Sequence, residues 1–467
     1  MVSPGLRFPR AWSRFAFALL PLFPLADARG QGGEVAGTMP EDQLPALRAI
    51  LEAAFERSPL LVEAEFRRAA QEAQVIIADS ARLPGVSGQL NYASNDTSIS
   101  SANSSQSRAT GFFYNASVNQ ALFHWGALKN QAEAARFRLG IEQRKFDVAF
   151  RALCVLLRKA YLALIVEKAR LHHARESLRL QRAELGVLAE RKETGGVSAA
   201  VLEGERLRVR EAALEAERAE AEFAANRSRF ARLAGLAELP EGAVPADIPA
   251  PVFSPALAAA LTAALLRDGA KGTLDYEIHE LAVQEALRRH RIEKVRLLPK
   301  FSVGAGVSLE NSTDVNGATV NQQGIQRRSV SINAQWNIFD GFATKGATRE
   351  ALASKRFAER TLAARMDEIQ RDAQALERSL RLDAEQVEIS DIRRGIATEG
   401  RKLLADEARL GNVAQGDVDR AQLGILQAEV GTLAARAALL GRWSEFVALA
   451  GDDPLFNVLS ARHAREK

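Results

Sequence analysis

The chain has 467 residues, enough for about three globular domains of ordinary size, but its composition argues against such domains. Aromatic residues make up 6% of it and charged residues 26%, with both signs interleaved, as in long exposed helices. The net charge of +4 is not concentrated in a basic block, which excludes nucleic acid as the expected partner. The one cysteine, Cys154, excludes a disulfide within a single chain.

Residues 1–28 have the pattern of a secretory signal peptide. Three arginines precede an apolar run at 15–25, and Ala26-Asp27-Ala28 supplies the small residues of a cleavage site. An uncleaved membrane anchor is the alternative, but an apolar run of about eleven residues with two prolines is too short to span a bilayer. We therefore expect a secreted protein whose mature chain begins with a flexible segment at 29–43.

Along the segment 44–235, the spacing of apolar residues changes from that of a helix to the alternation of a strand, and then back to that of a helix. Alternating apolar and polar residues predict two strands, at about 86–93 and 111–121, joined by a polar loop at 94–109. The helix that follows, at about 126–192, has leucine at every seventh position from 157 to 185, which indicates a coiled-coil seam. It would be a rod of about 100 Å, far longer than a globular core requires. The other helices are predicted at 44–57, 59–82 and about 199–234.

The same plan returns at a constant offset of 216 residues, which predicts two copies of one unit. Gly411 follows Gly195 by this interval, and Phe339 follows Phe123 by it. Chance similarity between helices of similar composition is the alternative, but it does not explain turns that coincide. The second unit, 273–451, is predicted to contain strands at about 301–309 and 328–339, a loop at 310–327, and helices at 274–296, about 342–410 and about 418–450. A Pro-rich linker at 236–272, with a short helix at 256–267, separates the units, and a polar tail covers 452–467.

Each predicted strand has one apolar and one polar face, as the strands of an outer-membrane barrel do. Soluble hairpins packed on a core are the alternative, but the helices already use their apolar seams on each other. Four strands are too few to close a barrel, since small barrels begin at about eight strands. An unclosed sheet edge in lipid would leave backbone groups unpaired, so membrane insertion requires oligomerisation.

The order of these elements resembles that of the outer-membrane efflux protein (TolC-like) family over nearly all of residues 40–451. The residues that carry the resemblance precede the strands, precede the long helices or form the helix tips: Leu83-Pro84, Leu298-Pro299, Leu122-Phe123, Trp336-Asn337-Ile338-Phe339-Asp340-Gly341, Gly195-Gly196-Val197-Ser198 and Gly411-Asn412-Val413. The resemblance implies an α+β membrane protein that forms a homotrimer. Its twelve-stranded β-barrel would lie in the outer membrane of a Gram-negative-type cell, and a periplasmic α-helical coiled-coil barrel would continue it. The shorter helices would stack end to end to match the long ones, and the linker and tail would form a belt.

The function that the resemblance implies is passive export. The protein would be the exit duct of a tripartite efflux or type I secretion system, docked to a periplasmic adaptor (membrane fusion) protein and an inner-membrane pump or ABC transporter. The residues leave a different class open, namely a structural periplasm-spanning coiled-coil protein or adhesin without an open channel. No nucleophile–base pair, phosphate loop or Cys/His cluster is present in the sequence, so we expect neither enzymatic activity nor a cofactor.

Asp417 and Arg420 are the candidates for the periplasmic entrance of the pore. A ring of three Asp417 side chains would attract cations and repel anions. The alternative is a solvated aspartate that the helix dipole stabilises at a helix N-terminus. The tyrosine and arginine that help to latch some family members shut would align with Ala408 and Val413, so that latch is absent. Arg420, one turn after Asp417, is then a candidate partner for it.

The two tips are the candidate adaptor contacts: Gly195, Gly196, Val197 and Ser198 in the first unit, and Gly411, Asn412 and Val413 in the second. Glycine suits the left-handed residue that ends a helix, and Ser198 suits the N-cap of the next. Trp125 and Trp336 are the candidate aromatic positions at the base of the barrel. His172 and His173 are adjacent on a helix and point to different faces, so we expect no shared metal.

Overall fold

The structure is a computed structural model, which describes residues 39–99, 105–316 and 319–459. The signal peptide, most of the N-terminal segment and the last eight residues of the tail lie outside the described residues. The elements, in chain order, are α1 (Pro40–Gln43), α2 (Pro45–Arg57), α3 (Pro59–Ser80), β1 (Gly85–Ile99), β2 (Ser105–Phe123), α4 (Ala127–Glu193), α5 (Ala199–Leu233), α6 (Pro255–Arg267), α7 (Leu274–Lys294), β3 (Lys300–Asn316), β4 (Thr319–Gln335), α8 (Ala343–Arg409) and α9 (Gln415–Ala450).

The two long helices, α4 and α8, have 67 residues each. At 1.5 Å per residue each is a rod of about 100 Å, as the sequence predicts. The offset of 216 residues recurs in the backbone, since positive φ values occur in matched pairs at the starts of the long helices, at the tips and at the ends of the returning helices. The pairs are Trp125 with Gly341, Gly126 with Phe342, Gly195 with Gly411, and Gly235 with Gly451.

The long helices form a layer of four side-by-side columns, called staves below. They are α3 with α5 end to end, α4, α7 with α9 end to end, and α8. In the half nearer the sheet, α4 packs against α3 and α7, and Arg136 on α4 pairs with Asp79 on α3. In the half nearer the tips, α4 packs against α5 and α9, and Lys159 pairs with Glu445 on α9. The outer stave on one side is α8, which contacts α7 and α9.

Short helices meet end to end to match the long ones. A Cβ added at Gly235, just after α5, would overlap the backbone carbonyl of Arg57, just before α3. Gly451, after α9, lies beside Gly272, before α7, where an added Cβ would be 3.5 Å from the carbonyl oxygen. Glycine has no Cβ, so Gly235 allows its two helix ends to abut, whereas an added Cβ at Gly451 would make only an ordinary contact.

The four strands form one antiparallel sheet in the order β1-β2-β3-β4. One row runs across the sheet through Val86, Val118, Ala305 and Val330, and these side chains share a face. That face is exposed, with Val330 at 81%. The opposite face is polar, and Ser87 and Ser117 are hydrogen-bonded across it at 2.9 Å. The described residues leave this apolar face uncovered, and an exposed apolar face of this kind marks a contact with lipid or another apolar surface.

The prediction of loops at 94–109 and 310–327 is wrong, because the strands continue through most of both segments. Antiparallel pairing depends on backbone hydrogen bonds, so a ladder can extend beyond the stretch in which one face is apolar. Side chains support the extension, since Ser94 and Thr110 are hydrogen-bonded at 2.9 Å and Arg108 donates to Asp96 at 2.6 Å. Conversely, β4 ends at Gln335 rather than at 339, since the following residues turn into α8.

The hydrophobic core surrounds the middle of α4. Three segments that belong to no stave pack there, at 39–57, 236–254 and 452–459, and together they are called the belt below. Phe150 on α4 contacts Phe55 and Phe456 from two of the belt segments, with ring centroids 4.8 and 5.4 Å apart. The start of the tail, expected to be polar, therefore buries apolar side chains: Leu455, Phe456 and Leu459.

Among the described helices, α9 alone is long and apolar enough to cross a membrane by length and composition. Half of its most apolar window is already buried inside the protein. Its contacts with α4 and α8 explain that composition, because a helix flanked by two others needs more apolar surface than one at an edge.

Candidate functional site at the helix tips and the open edges

Both tips are tight turns closed by glycine. Gly195 and Gly411 each have φ of +80°, a left-handed conformation that other residues rarely adopt. The next residue closes the turn in each case, since Gly196 N donates to Arg191 O at 2.9 Å and Asn412 N donates to Glu407 O at 3.0 Å.

The side chains at the tips are mostly free for contact with another molecule. The Ser198 hydroxyl accepts from Val201 N at 3.3 Å, so it caps α5. Nothing lies within 4 Å of a Cβ built at Gly195 or Gly411, and Val197 and Val413 are only half-buried. The turns are thus closed by their own hydrogen bonds and remain accessible from outside the protomer.

Asp417 and Arg420 are brought together at the start of α9. The Arg420 Nη1 atom lies 3.2 Å from Asp417 Oδ1, and the two side chains are 68% and 41% exposed. A pair this exposed contributes at most about 1 kcal/mol to stability. Its consequence is electrostatic instead, because the guanidinium offsets the negative charge of the same turn. Val418, between them, is buried and anchors the turn.

Aromatic side chains cluster where the sheet meets the long helices. Trp125 Nε1 donates to Pro299 O at 2.8 Å, which ties the start of α4 to the start of β3. Phe123 packs edge-on against Trp125, with ring centroids 4.9 Å apart. In the second unit Trp336 is exposed, and Phe339 packs edge-on against Phe342 at 5.4 Å. Both copies thus present aromatic rings at the same junction.

The sheet has two open edges that sequence reasoning did not locate. Within the described part of the chain, β1 pairs only with β2, and β4 pairs only with β3. Side chains on the apolar face reach both edges, including Leu90 on β1 and Ile332 on β4. Because an unpaired edge exposes backbone donors and acceptors, this sheet is ready to pair with another strand at each end.

The helix layer is open on the same two sides. An exposed apolar stripe follows α8 with a spacing of seven residues, at Leu382, Ile389, Ile396, Leu403 and Leu410. This spacing is the signal in the sequence that could have identified the stripe. At the other edge, α3 and α5 expose a second set: Leu60, Val62, Phe66, Ile76, Ile77, Val201, Leu207 and Leu214.

The adjacent histidines are not brought to a shared site. His172 is exposed and His173 is half-buried on α4. In residues 39–99, 105–316 and 319–459, no group of three or more His, Cys, Asp or Glu side chains has the spacing to hold a metal ion.

Comparison with known proteins identifies a family over part of the chain. Residues 50–236 match the family model described as outer membrane efflux protein, so the resemblance that the sequence indicated is confirmed. No curated protein matches the sequence at a significant level.

Solved structures of outer-membrane proteins resemble the chain over most of its length. VceC from Vibrio cholerae is 13% identical with a TM-score of 0.66, covering 88% of this chain and 98% of that one. The CmeC channel of Campylobacter jejuni is 14% identical with a TM-score of 0.67, covering 89% of each chain. The open state of the MtrE channel of Neisseria gonorrhoeae is 16% identical with a TM-score of 0.62, covering 87% of this chain and 89% of that one. At these identities the likeness establishes the fold.

Proposed function

We propose that the protein is the outer-membrane exit duct of a tripartite efflux or type I secretion system. The premise is that residues 50–236 match the outer membrane efflux protein family model and that most of the chain shares the fold of outer-membrane channels. It lies in the outer membrane and extends into the periplasm. Transport through it is passive. A duct of this kind is not an enzyme, and it requires no cofactor.

The observation that carries the proposal is the agreement between the open edges of the sheet and of the helix layer. The β1 edge continues into the side of the layer formed by α3 and α5, and the β4 edge continues into the side formed by α8. Pairing β4 of one copy with β1 of the next satisfies both edges, and the same rotation repeated closes a ring. Three copies supply twelve strands, enough for a barrel with a lumen.

The helix edges support the same contact. The apolar stripe on α8 would meet the exposed apolar side chains of α3 and α5 of the next copy, as a heptad seam packs on a partner helix. Each copy then contributes four staves to a closed tunnel of helices. The apolar face of the sheet would be turned to lipid, and the exposed Trp336 and Phe339 would lie at the membrane interface.

Residues at the tips would form the periplasmic entrance and the adaptor contact. Three copies of Asp417 would place a ring of carboxylates there, each partly offset by its own Arg420. The exposed turns at Gly195–Ser198 and Gly411–Val413 are suited to meet the adaptor, since their closure does not depend on another chain. An inner-membrane pump or ABC transporter would supply the energy.

Conductance tests the proposal against the structural alternative. The purified protein in detergent is expected to be a trimer by light scattering. Reconstituted in planar bilayers, it is expected to show discrete channel openings. A trimer that stays closed at every voltage, and also after substitutions at Asp417 and Arg420, would instead support a periplasmic strut or adhesin. A stable monomer in detergent would contradict the ring.

A further inference from the structure

A recess of about 520 Å³ lies on the middle of α4, on the side opposite the belt. Its floor is apolar and is formed by Val155 and Leu156 of α4, the start of α7 at Leu274, and the end of α9 at Leu449. The recess therefore lies where α7 and α9 meet end to end. Cavities of this size are typical of sites for small molecules.

The exposure of Leu156 is unusual for its place in the chain. Its neighbours Leu153 and Leu157 are buried under the belt, whereas Leu156 points the other way and is 43% exposed. At the offset of 216 residues, the second unit has Arg371 and Asp372 in place of Val155 and Leu156. The fold thus accepts charged side chains at these positions, so helix packing does not explain the apolar ones.

In the proposed trimer, no helix of the same chain or of a neighbouring copy would cover the recess. Helix α4 has α3 and α5 on one side and α7 and α9 on the other, all from its own chain. A neighbouring copy would meet only the outer staves, and the belt covers the opposite face of α4. The remaining side of α4 faces the inside of the ring that three copies would form, which is the lumen of the proposed duct. Only the contents of the duct can reach it.

We propose that this recess is a binding site in the tunnel wall for an amphipathic small molecule in transit. The apolar body of the cargo would occupy the floor at Leu156 and Leu449, and its polar group would lie at the rim. Lys159 and Glu445 form an ion pair at that rim and are 43% and 39% exposed, so both can also reach a ligand or water. The inference rests on the proposed function, because only a closed tunnel places this side of α4 in a lumen.

The test uses tetraphenylphosphonium, a cation with a large apolar body whose charge does not depend on pH, with tetramethylammonium as the small cation. In planar bilayers, tetraphenylphosphonium is expected to interrupt the wild-type current in discrete blocks, and tetramethylammonium is not. The double substitution Leu156→Asn with Leu449→Asn is expected to shorten the mean block about tenfold, equivalent to about 1.4 kcal/mol. Both positions are at least partly exposed, so the fold is expected to tolerate asparagine.

The matched control is Ala364→Asn, the same new side chain at the position in the second unit that corresponds to Val148 at the edge of the recess. It is expected to leave the block unchanged. Equilibrium dialysis of tetraphenylphosphonium against the purified protein gives the same comparison without an open channel. Equal binding and equal block in the wild type and the double variant would overturn the proposal that the recess binds cargo. A protein that never conducts would overturn the duct, while dialysis would still report on the recess.

Discussion

Arg158, in the middle of α4, donates two hydrogen bonds to Asp453, with Nη1–Oδ2 at 2.6 Å and Nη2–Oδ1 at 3.1 Å. The same guanidinium donates to both carboxylate oxygens of Glu41. All three side chains are at most 3% exposed. Burial alone would lower the pKa of Arg158, but the hydrogen bonds and charges of Asp453 and Glu41 outweigh it and the pKa lies above its ordinary value. One cation thus ties the first and last belt segments to the rod.

Replacing this arginine is expected to destabilise the protein strongly. Arg158→Met would leave two buried carboxylates without a counter-charge, which typically costs about 3–5 kcal/mol of the free energy of unfolding. Urea unfolding in detergent, followed by tryptophan fluorescence, measures the change, because Trp443 is buried against Phe253 of the belt and becomes exposed on unfolding. Adding Glu41→Gln and Asp453→Asn to the variant is expected to recover part of the loss, because it removes the unpaired charges.

The control is Arg136→Met, at the ion pair with Asp79. That pair has a distance of 3.0 Å but is 57% and 35% exposed, so its loss should cost less than about 1 kcal/mol. Equal losses at Arg136 and Arg158 would contradict the role of burial in the Arg158 cluster.

Substitution in the apolar stripe of α8 is expected to break the proposed trimer. Ile389→Asp with Ile396→Asp would place charges in a seam between copies, and each lost isoleucine contact removes about 1.5–3 kcal/mol of burial free energy. Light scattering in detergent is expected to give a monomer. Lys402 lies on α8 outside the stripe, in an exposed ion pair with Glu399. Lys402→Asp therefore introduces the same new side chain at an exposed position, at the loss of one surface ion pair, and should leave the trimer intact. If both proteins remain trimeric, the stripe is not the contact.

The charge at the entrance is expected to set ion selectivity. Asp417→Ala would lower the ratio of cation to anion permeability by about threefold, and Arg420→Ala would raise it, because each removes one member of an opposed pair. Reversal potentials in a salt gradient measure the ratio. Asp419→Ala is the control. It removes an acid two positions away that accepts from the side-chain amide of Gln415 and is not part of the Asp417–Arg420 pair. Selectivity unchanged by Asp417→Ala would leave the aspartate as a helix-terminal residue only.

Cys154 is expected to be unreactive while the protein is folded. Burial raises its pKa to about 12 from 9.0, so the thiolate that attacks thiol reagents is absent near neutral pH. Because the pKa is higher in the folded than in the unfolded chain, this group contributes stability that is fully present below pH 9 and is lost as the pH rises towards 12. Labelling with a chromogenic disulfide at pH 8 is expected only after unfolding. Rapid labelling of the native protein would show that the core around α4 opens.

Much of the fold follows from the order of residues. The length of α4, the matching length of α8 and the turns at Gly195 and Gly411 can be read from periods of seven and two and from the positions of glycine. These features are local, since each depends on residues within a few turns of the chain. The duplication is also visible without coordinates, because a constant offset needs only comparison of the chain with itself.

The tertiary structure decided which surfaces meet. Periodicity predicts that a face is apolar but not what covers it, so the stripe at Ile389 and Ile396 could be recognised as unpartnered only when the packing of α8 was known. The polar ends of the strands depend on a backbone ladder that side-chain alternation does not report. Arg158 contacts residues 117 and 295 positions away, and no local pattern connects them. The sequence by itself therefore determined the elements and their repetition, whereas long-range contacts determined the belt, the open edges and the recess at Leu156.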